Sequence, residues 1–132
     1  MKRTLSFLAL GACIALLTLV TVGCEANKSA VADKANLILD HQSEGKVYIA
    51  WSDVYESDEG AVVSGVLKRD DTIGLPIKAH VQVSVLSPDG RVIDAGRSAD
   101  VEVPRQIMTK VQGFSRFSVP LSKVPASGST VR

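Results

Sequence analysis

Apolar and polar residues alternate with a period of two along most of the chain beyond residue 45. In residues 80–86, valines occupy positions 81, 83 and 85, with polar residues between them. Strict alternation with β-branched residues is typical of strands that bury one face. The pattern predicts six short strands and no helix among them, at residues 47–51, 61–69, 80–86, 91–96, 101–103 and 114–121.

Turn signals separate these segments. Ser87-Pro88-Asp89-Gly90 is the strongest of them, because proline sets φ at the second position and glycine tolerates a positive φ at the fourth. It joins two consecutive strands and therefore predicts a β-hairpin. The acidic segment Glu56–Gly60 is predicted to be an open loop.

The strands and turns together predict an all-β fold, a small antiparallel β-sandwich over residues 46–132. Its layout resembles that of Ig-like and transthyretin-like domains. The cysteine pair of antibody domains is absent, and Trp51 lies on the first strand rather than the third. The resemblance therefore covers the layout only.

Three residues are candidates for binding. Alternation places Trp51 on the same face of its strand as Val47 and Ile49, and the first interpretation is that such large side chains pack in the core. The alternative is that Tyr55, in the predicted loop after this strand, contributes to a binding patch with Trp51. His80 lies on the polar face of its strand and is the third candidate.

The N-terminus has the features of an export signal. Lys2 and Arg3 precede 18 uncharged residues from Leu5 to Val22. Thr21-Val22-Gly23-Cys24 resembles the lipobox of bacterial lipoproteins, although that family usually has Leu, Val or Ile where Thr21 stands. The resemblance implies a signal peptide over 1–23 and a lipid on Cys24. Cys13 is a poorer candidate for lipidation, because the apolar run before it is too short. The alternatives to a lipoprotein are cleavage by ordinary signal peptidase after Ala26 or Ala32, and a retained membrane anchor.

Residues 24–45 are predicted to be the lipidated cysteine and a tether, with a short helix over residues 30–40. Glu25 follows the lipid-bearing position; in such lipoproteins Asp at that place favours inner-membrane retention. The expected location is therefore the bacterial cell envelope, facing the periplasm, with the outer membrane favoured over the inner. Membrane contact is expected through the lipid.

Composition limits the chemistry of the body. Both cysteines precede residue 25, so the remaining chain can form neither a disulfide nor a thiolate metal site. Removal of the 23-residue signal peptide leaves 109 residues and changes the net charge from +1 to −1. That charge predicts no nucleic-acid partner.

Candidate metal ligands are scattered. The acidic stretch of Asp53, Glu56, Asp58 and Glu59 lacks EF-hand spacing, and a solvated loop is the favoured interpretation. The potential copper ligands His41, His80 and Met108 have no spacing that brings them together. No hydrolase, P-loop or dinucleotide-binding motif occurs. The prediction is therefore no metal, no cofactor and no enzyme activity.

Residues 127–132 resemble a turn that leads into a strand, at the end of the sequence. Either this closing strand is only three or four residues long or the polypeptide is truncated, so that the sandwich lacks a full last strand. An incomplete closing strand would leave backbone groups exposed on its neighbour, which predicts self-association or capture of a partner's strand at an open sheet edge. The alternative is a disordered tail. The function expected is a lipid-anchored envelope module that binds another envelope protein; the alternative is a periplasmic ligand or metal-ion carrier.

Overall fold

The structure is a computed structural model that describes residues 31, 35–105 and 113–132. Their regular structure consists of nine strands. The strands are β1 (Ile38–Leu39), β2 (Val47–Ser57), β3 (Gly60–Arg69), β4 (Ile77–Ala79), β5 (Gln82–Leu86), β6 (Val92–Arg97), β7 (Val101–Val103), β8 (Ser115–Leu121) and β9 (Thr130–Val131).

The strands form two main layers. One is a four-stranded sheet in the order β1-β9-β5-β6, and the other is a three-stranded sheet in the order β2-β3-β8. A smaller sheet pairs β4 with β7. Only the pairing of β1 with β9 is parallel among these strands. The prediction of an all-β sandwich is confirmed.

The core lies between the inner faces of the two layers. Val83 and Val85 of β5 are 4% and 1% exposed, and Phe117 and Val119 of β8 are 3% and 0% exposed. These residues belong to one apolar cluster. The alternation predicted for both strands is therefore confirmed, since every second side chain enters the core.

The predicted hairpin at residues 87–90 joins β5 to β6. The Gly90 N–H donates to the Ser87 carbonyl over 2.8 Å, and Gly90 has a φ of +87°. The two strands pair antiparallel, with Val83 opposite Gly96. The local sequence was therefore sufficient to predict this turn.

The predicted open loop at residues 56–60 is wrong. β2 continues to Ser57, which lies opposite Gly60, so that only Asp58 and Glu59 connect β2 to β3. The hairpin is tighter than expected because Val54 and Tyr55 pair with β3 and extend the ladder. At Gly60 a Cβ would lie 2.5 Å from the Leu121 carbonyl oxygen, so glycine permits the close approach of β8.

A register shift in β2 overturns the predicted face of Trp51. Ile49 lies opposite Leu67 and Trp51 lies opposite Val66, which leaves Ala50 as an extra residue in β2. One extra residue reverses the alternation of side chains that follow it. Trp51 consequently points to the outer face and is 49% exposed, rather than packing beside Ile49 in the core.

The sheet includes part of the segment predicted to be a tether. Ile38 and Leu39 form β1, and the Ile38 N–H donates to the Ser129 carbonyl over 3.0 Å. The helix expected over residues 30–40 is therefore wrong at these two residues. Their helical spacing was overridden because pairing with β9 lets the backbone form sheet hydrogen bonds.

The C-terminal segment is ordered in the same sheet. β9 lies between β1 and β5, and Val131 is 4% exposed, so the alternative of a disordered tail is wrong. Along Thr130–Val131 both edges of β9 are paired. The open edge predicted here is therefore covered along β9.

Candidate binding cleft

A cleft of about 560 Å³ opens between the two layers where β9 ends. One wall is built from the start of β5 and from the segment that follows β1. The other wall is built from β2, β3 and β8. Its lining includes Asp40, His41, Gln42, Ser43, Glu44, Tyr48, Ile49, Ser52, Val63, Leu67, Lys78, His80, Val81, Gln82, Val83, Phe117, Val131 and Arg132.

The floor of the cleft is apolar. Val63, Leu67 and Phe117 approach it from the three-stranded sheet, and Val81 and Val83 from the four-stranded sheet; each is at most 7% exposed. Because side chains alternate along each strand, the same inward faces that form the core also line the floor of the cleft. Apolar groups entering the cleft would therefore meet apolar surface and leave water.

Two side-chain contacts stabilise the polar rim of the cleft. The Arg132 Nε donates to the Asp40 Oδ2 over 2.8 Å, which ties the C-terminal residue to the segment after β1. The His41 Nε2 lies 2.7 Å from the Ser52 Oγ and connects that segment to β2 across the cleft. The His41–Ser52 pair therefore bridges the two walls of the cleft, whereas the Arg132–Asp40 pair ties two segments of the same wall together.

Backbone hydrogen bonds define the two edges of β5 beside the cleft. The Ser84 N–H donates to the Arg132 carbonyl over 2.8 Å and the Arg132 N–H donates to the Ser84 carbonyl over 2.9 Å. The Ser98 N–H donates to the Val81 carbonyl over 2.9 Å, which places the polar groups of Val81 toward β6. Since backbone groups alternate along a strand, those of Gln82 point to the opposite edge of β5, on the β9 side.

Of the three predicted binding residues, only His80 lines this cleft. Its Nδ1 lies 3.8 Å from the Asp100 Oδ1, and its side chain is 39% exposed. His41, considered above only as a copper ligand, lines the same cleft. Cys24 and Met108 lie outside the described residues, as does the predicted signal peptide.

Trp51 and Tyr55 lie elsewhere. Both occupy the outer face of the three-stranded sheet, where Tyr55 pairs with Val62 and Trp51 pairs with Val66. The placement of Tyr55 in a loop is wrong, because β2 extends through it to Ser57. The structure thus separates the predicted binding residues into two groups, on the outer face and at the cleft.

The acidic residues considered as metal ligands do not form a metal site in the structure. Asp53 and Glu56 lie in β2, and the Asp53 Oδ1 accepts the Val54 N–H over 2.8 Å. Among residues 31, 35–105 and 113–132, no group of three or more His, Cys, Asp or Glu side chains could hold a metal ion. A carrier that uses His80 as a metal ligand therefore has no support from side-chain geometry here.

One further surface was missed by the sequence analysis. Ile73 and Leu75 project from the loop between β3 and β4 and are 80% and 84% exposed. The buried guanidinium of Arg69 holds this loop, since it donates to the Leu75 carbonyl over 2.7 Å and to the Ile73 carbonyl over 3.1 Å. The only local signal was an arginine at an inward position of a strand otherwise rich in valine.

The Arg69 guanidinium also bonds the carboxylate of Asp71, and the Lys46 Nζ lies 3.1 Å from the Asp71 Oδ2. The hydrogen bond from Arg69 is the main reason that the pKa of Asp71 falls to about 2. The loop between β3 and β4 is therefore fastened by a charge-assisted contact that is complete at neutral pH.

Comparisons with protein-family models, with curated protein sequences and with solved structures found no match to this chain. Within the part of the chain that the structure describes, no helix is long and apolar enough to cross a membrane. The cleft and the sequence are therefore the observations from which a function is proposed.

Proposed function

We propose that this chain is a lipid-anchored module of the bacterial cell envelope that binds another envelope protein in its cleft. The observation that carries the proposal is the composition of the cleft wall. It combines an apolar floor with the start of β5 and the segment after β1, and among the described strands none pairs with Gln82 on the β9 side of β5. These are the groups with which proteins bind extended peptide segments.

A small-molecule carrier fits the cleft less well. Pockets for small ligands usually bring a few polar side chains together over the ligand. Here two of the polar side chains at the rim, those of His41 and Arg132, are already bonded to Ser52 and Asp40. The remaining polar side chains of the lining, among them Glu44, Lys78 and His80, come from different segments, and this spread favours a polypeptide over a single small ligand.

The anchor supports a location close to the membrane. Val31 is buried against the core, so only residues 25–30 separate the proposed lipid on Cys24 from the domain. A fully extended chain of that length spans at most about 25 Å. The domain would then face the periplasm near the membrane surface, in reach of membrane-bound partners; Glu25 favours the outer membrane.

Photo-crosslinking of the full-length lipidated protein in intact envelopes tests the proposal. A crosslinking residue at Gln42, on the exposed rim of the cleft, should capture a distinct envelope protein. The matched control places the same residue at Asp58, in the exposed turn between β2 and β3, and should not capture it. Absence of a specific product at Gln42, or the same product at both positions, would contradict the proposal.

A further inference from the structure

We infer that the apolar loop between β3 and β4, residues 72–76, docks into an apolar pocket with an acidic rim on the envelope protein that the cleft binds. The inference rests on the proposed function, because it takes that protein as the occupant, and it adds a second contact surface. Ile73 and Leu75 are 80% and 84% exposed, more than any other large apolar side chain in the described part of the chain. No described segment of the same chain therefore covers them.

The apolar loop is held in shape from within the domain. The guanidinium of Arg69, a residue that is 3% exposed, donates to the Leu75 carbonyl over 2.7 Å and to the Ile73 carbonyl over 3.1 Å. Gly74 lies between these two residues with a φ of +104°, which lets both carbonyls turn toward the same guanidinium. Because the loop is ordered before it binds, docking costs less conformational entropy than it would for a mobile loop.

The apolar loop adjoins the cleft. It follows β3, whose Leu67 lines the floor, and it precedes β4, whose Lys78 lines the rim. Val47, another lining residue, lies opposite Arg69, which holds the loop. A protein seated in the cleft would therefore lie beside the loop, so that both surfaces can contact one partner.

The surface around the apolar loop is net positive. Apart from the Arg69–Asp71 pair, this end of the domain carries the cations Lys46, Lys68, Lys78, Arg105 and Arg116 and the carboxylates Glu44, Asp70 and Glu102. The β2–β3 hairpin, by contrast, carries Glu56, Asp58 and Glu59. Carboxylates around the partner's pocket would attract the loop end and repel the hairpin end, so charge orients the domain on its partner.

The tether joins the domain at the end opposite the apolar loop. The Ala35 carbonyl accepts the Gly128 N–H over 3.2 Å, and Gly128 adjoins Pro88 in the β5–β6 hairpin. The Asp94 Oδ2, near the start of β6, accepts the Ser122 N–H over 2.9 Å, just after β8. Since β8 ends beside the start of β3, both hairpins and the entry of the chain lie at one end of the domain. The apolar loop follows the other end of β3.

This placement argues against the bilayer as the occupant. β3 spans ten residues between the β2–β3 hairpin and Arg69, roughly 30 Å at about 3.3 Å per residue. A domain inverted to insert Ile73 and Leu75 into the membrane would hold the entry of the chain that far from the membrane surface. Residues 25–30 span at most about 25 Å, so the loop faces away from the membrane that would hold the lipid on Cys24.

Photo-crosslinking of the full-length lipidated protein in intact envelopes tests the inference. A crosslinking residue at Thr72, which is exposed, should capture the same protein as one at Gln42 on the cleft rim. Ile73→Thr together with Leu75→Thr, introduced into the Gln42 crosslinking variant, should lower capture at least about tenfold. The reason is that a few apolar anchors seated in a pocket supply most of the binding free energy of an interface.

The matched control removes two other exposed aliphatic side chains. Ile38 and Val92 are 58% and 62% exposed on the four-stranded sheet, and Ile38→Thr together with Val92→Thr should leave capture unchanged. Both double variants should melt within about 4 °C of the parent chain, because substitutions at exposed positions change stability little. Circular dichroism melts thus distinguish lost binding from unfolding.

Charge reversal tests the acidic rim. Arg116→Glu, at the loop end, should lower capture from Gln42 severalfold, because it places a carboxylate against carboxylates. Lys123→Glu makes the same change in charge on an exposed residue at the hairpin end and should not lower capture. Equal effects of the two reversals would contradict the acidic rim.

The outcomes separate the inference from the proposed function. Capture from Gln42 that survives the loop substitutions, or no product from Thr72, would overturn the inference and leave the proposed function standing. A protein captured from Thr72 but not from Gln42 would contradict binding in the cleft and leave the apolar loop supported as the docking surface. Identification of the Thr72 product by mass spectrometry as a lipid, a second copy or another segment of the same molecule would also overturn the inference.

Discussion

The main chains of Ser84 and Arg132 exchange two hydrogen bonds, 2.8 Å and 2.9 Å long, at the point where β9 ends and the cleft begins. The Arg132 side chain meanwhile donates to Asp40, in the segment after β1. One residue therefore connects to both neighbouring segments of the sheet. The segment after β1 and the start of β5 are thereby held on either side of β9.

Lipid attachment is expected at one of the two cysteines. Metabolic labelling with a fatty acid should mark the chain, and Cys24→Ala should abolish the label because Cys24 follows the whole apolar run. Cys13→Ala is the matched control and should retain it. Label that persists in Cys24→Ala would refute the assignment.

The inward phase of β5 gives a prediction about stability. Val83→Asp should unfold the domain, because Val83 is 4% exposed and an unpaired buried charge costs several kcal/mol, against a total of ~5–15 kcal/mol. Gln82→Asp, one residue away on the exposed face, should fold normally. Thermal melts followed by circular dichroism measure both; equal melting temperatures would contradict the strand phase.

The bulge at Ala50 predicts unequal roles for two aromatic residues. Phe117→Ala should lower the free energy of unfolding by about 3–5 kcal/mol, because the ring is 3% exposed in the core. Trp51→Ala should lower it by no more than about 1 kcal/mol, as expected of a surface position. Urea unfolding of the two variants distinguishes them. A loss at Trp51 as large as that at Phe117 would mean that Trp51 packs inward.

The contact between Arg69 and Asp71 predicts a pH dependence. The pKa of Asp71 is about 2 in the folded chain, against an ordinary value of 3.8, so the unfolded state takes up its proton first as the pH falls. The stability supplied by this carboxylate is therefore complete above about pH 4 and is lost as the pH falls through 2.

Asp71→Asn tests this dependence. The variant should be less stable than the parent at pH 7 and should lose less stability between pH 4 and pH 2. Asp58→Asn, in the exposed turn of the β2–β3 hairpin, should keep the parent's slope. Denaturant unfolding at a series of pH values provides the measurement, and parallel curves for Asp71→Asn and the parent would argue against the effect.

Two buried serines should respond in opposite ways to alanine. Ser129 is 0% exposed, and its hydroxyl has no hydrogen-bond partner among the described residues, so Ser129→Ala should raise the free energy of unfolding by about 1 kcal/mol. The Ser98 hydroxyl accepts the Val81 N–H over 2.9 Å, so Ser98→Ala should lower it by about 1–3 kcal/mol. Destabilisation by both substitutions would indicate a partner for Ser129.

The sequence by itself determined the features that depend on neighbouring residues. Alternation at Val81, Val83 and Val85 predicted which face of β5 is buried, since a strand directs successive side chains to opposite sides. Ser87-Pro88-Asp89-Gly90 predicted the β5–β6 hairpin, because its backbone preferences are local. The same alternation placed His80 on the strand, which is wrong: His80 lies in the connection between β4 and β5, where it lines the cleft.

Only the tertiary structure determined the orientation of Trp51, the strand at Ile38–Leu39 and the cleft, because these features depend on which segments pair. The extra residue at Ala50 appears only when Ile49 and Trp51 are aligned with β3, and it turns the tryptophan outward. Ile38 and Leu39 have helical spacing but pair with β9, a strand some 90 residues away in the sequence. The cleft is lined by side chains from both layers and from the segment after β1, and no local pattern shows which distant segments will line one cavity.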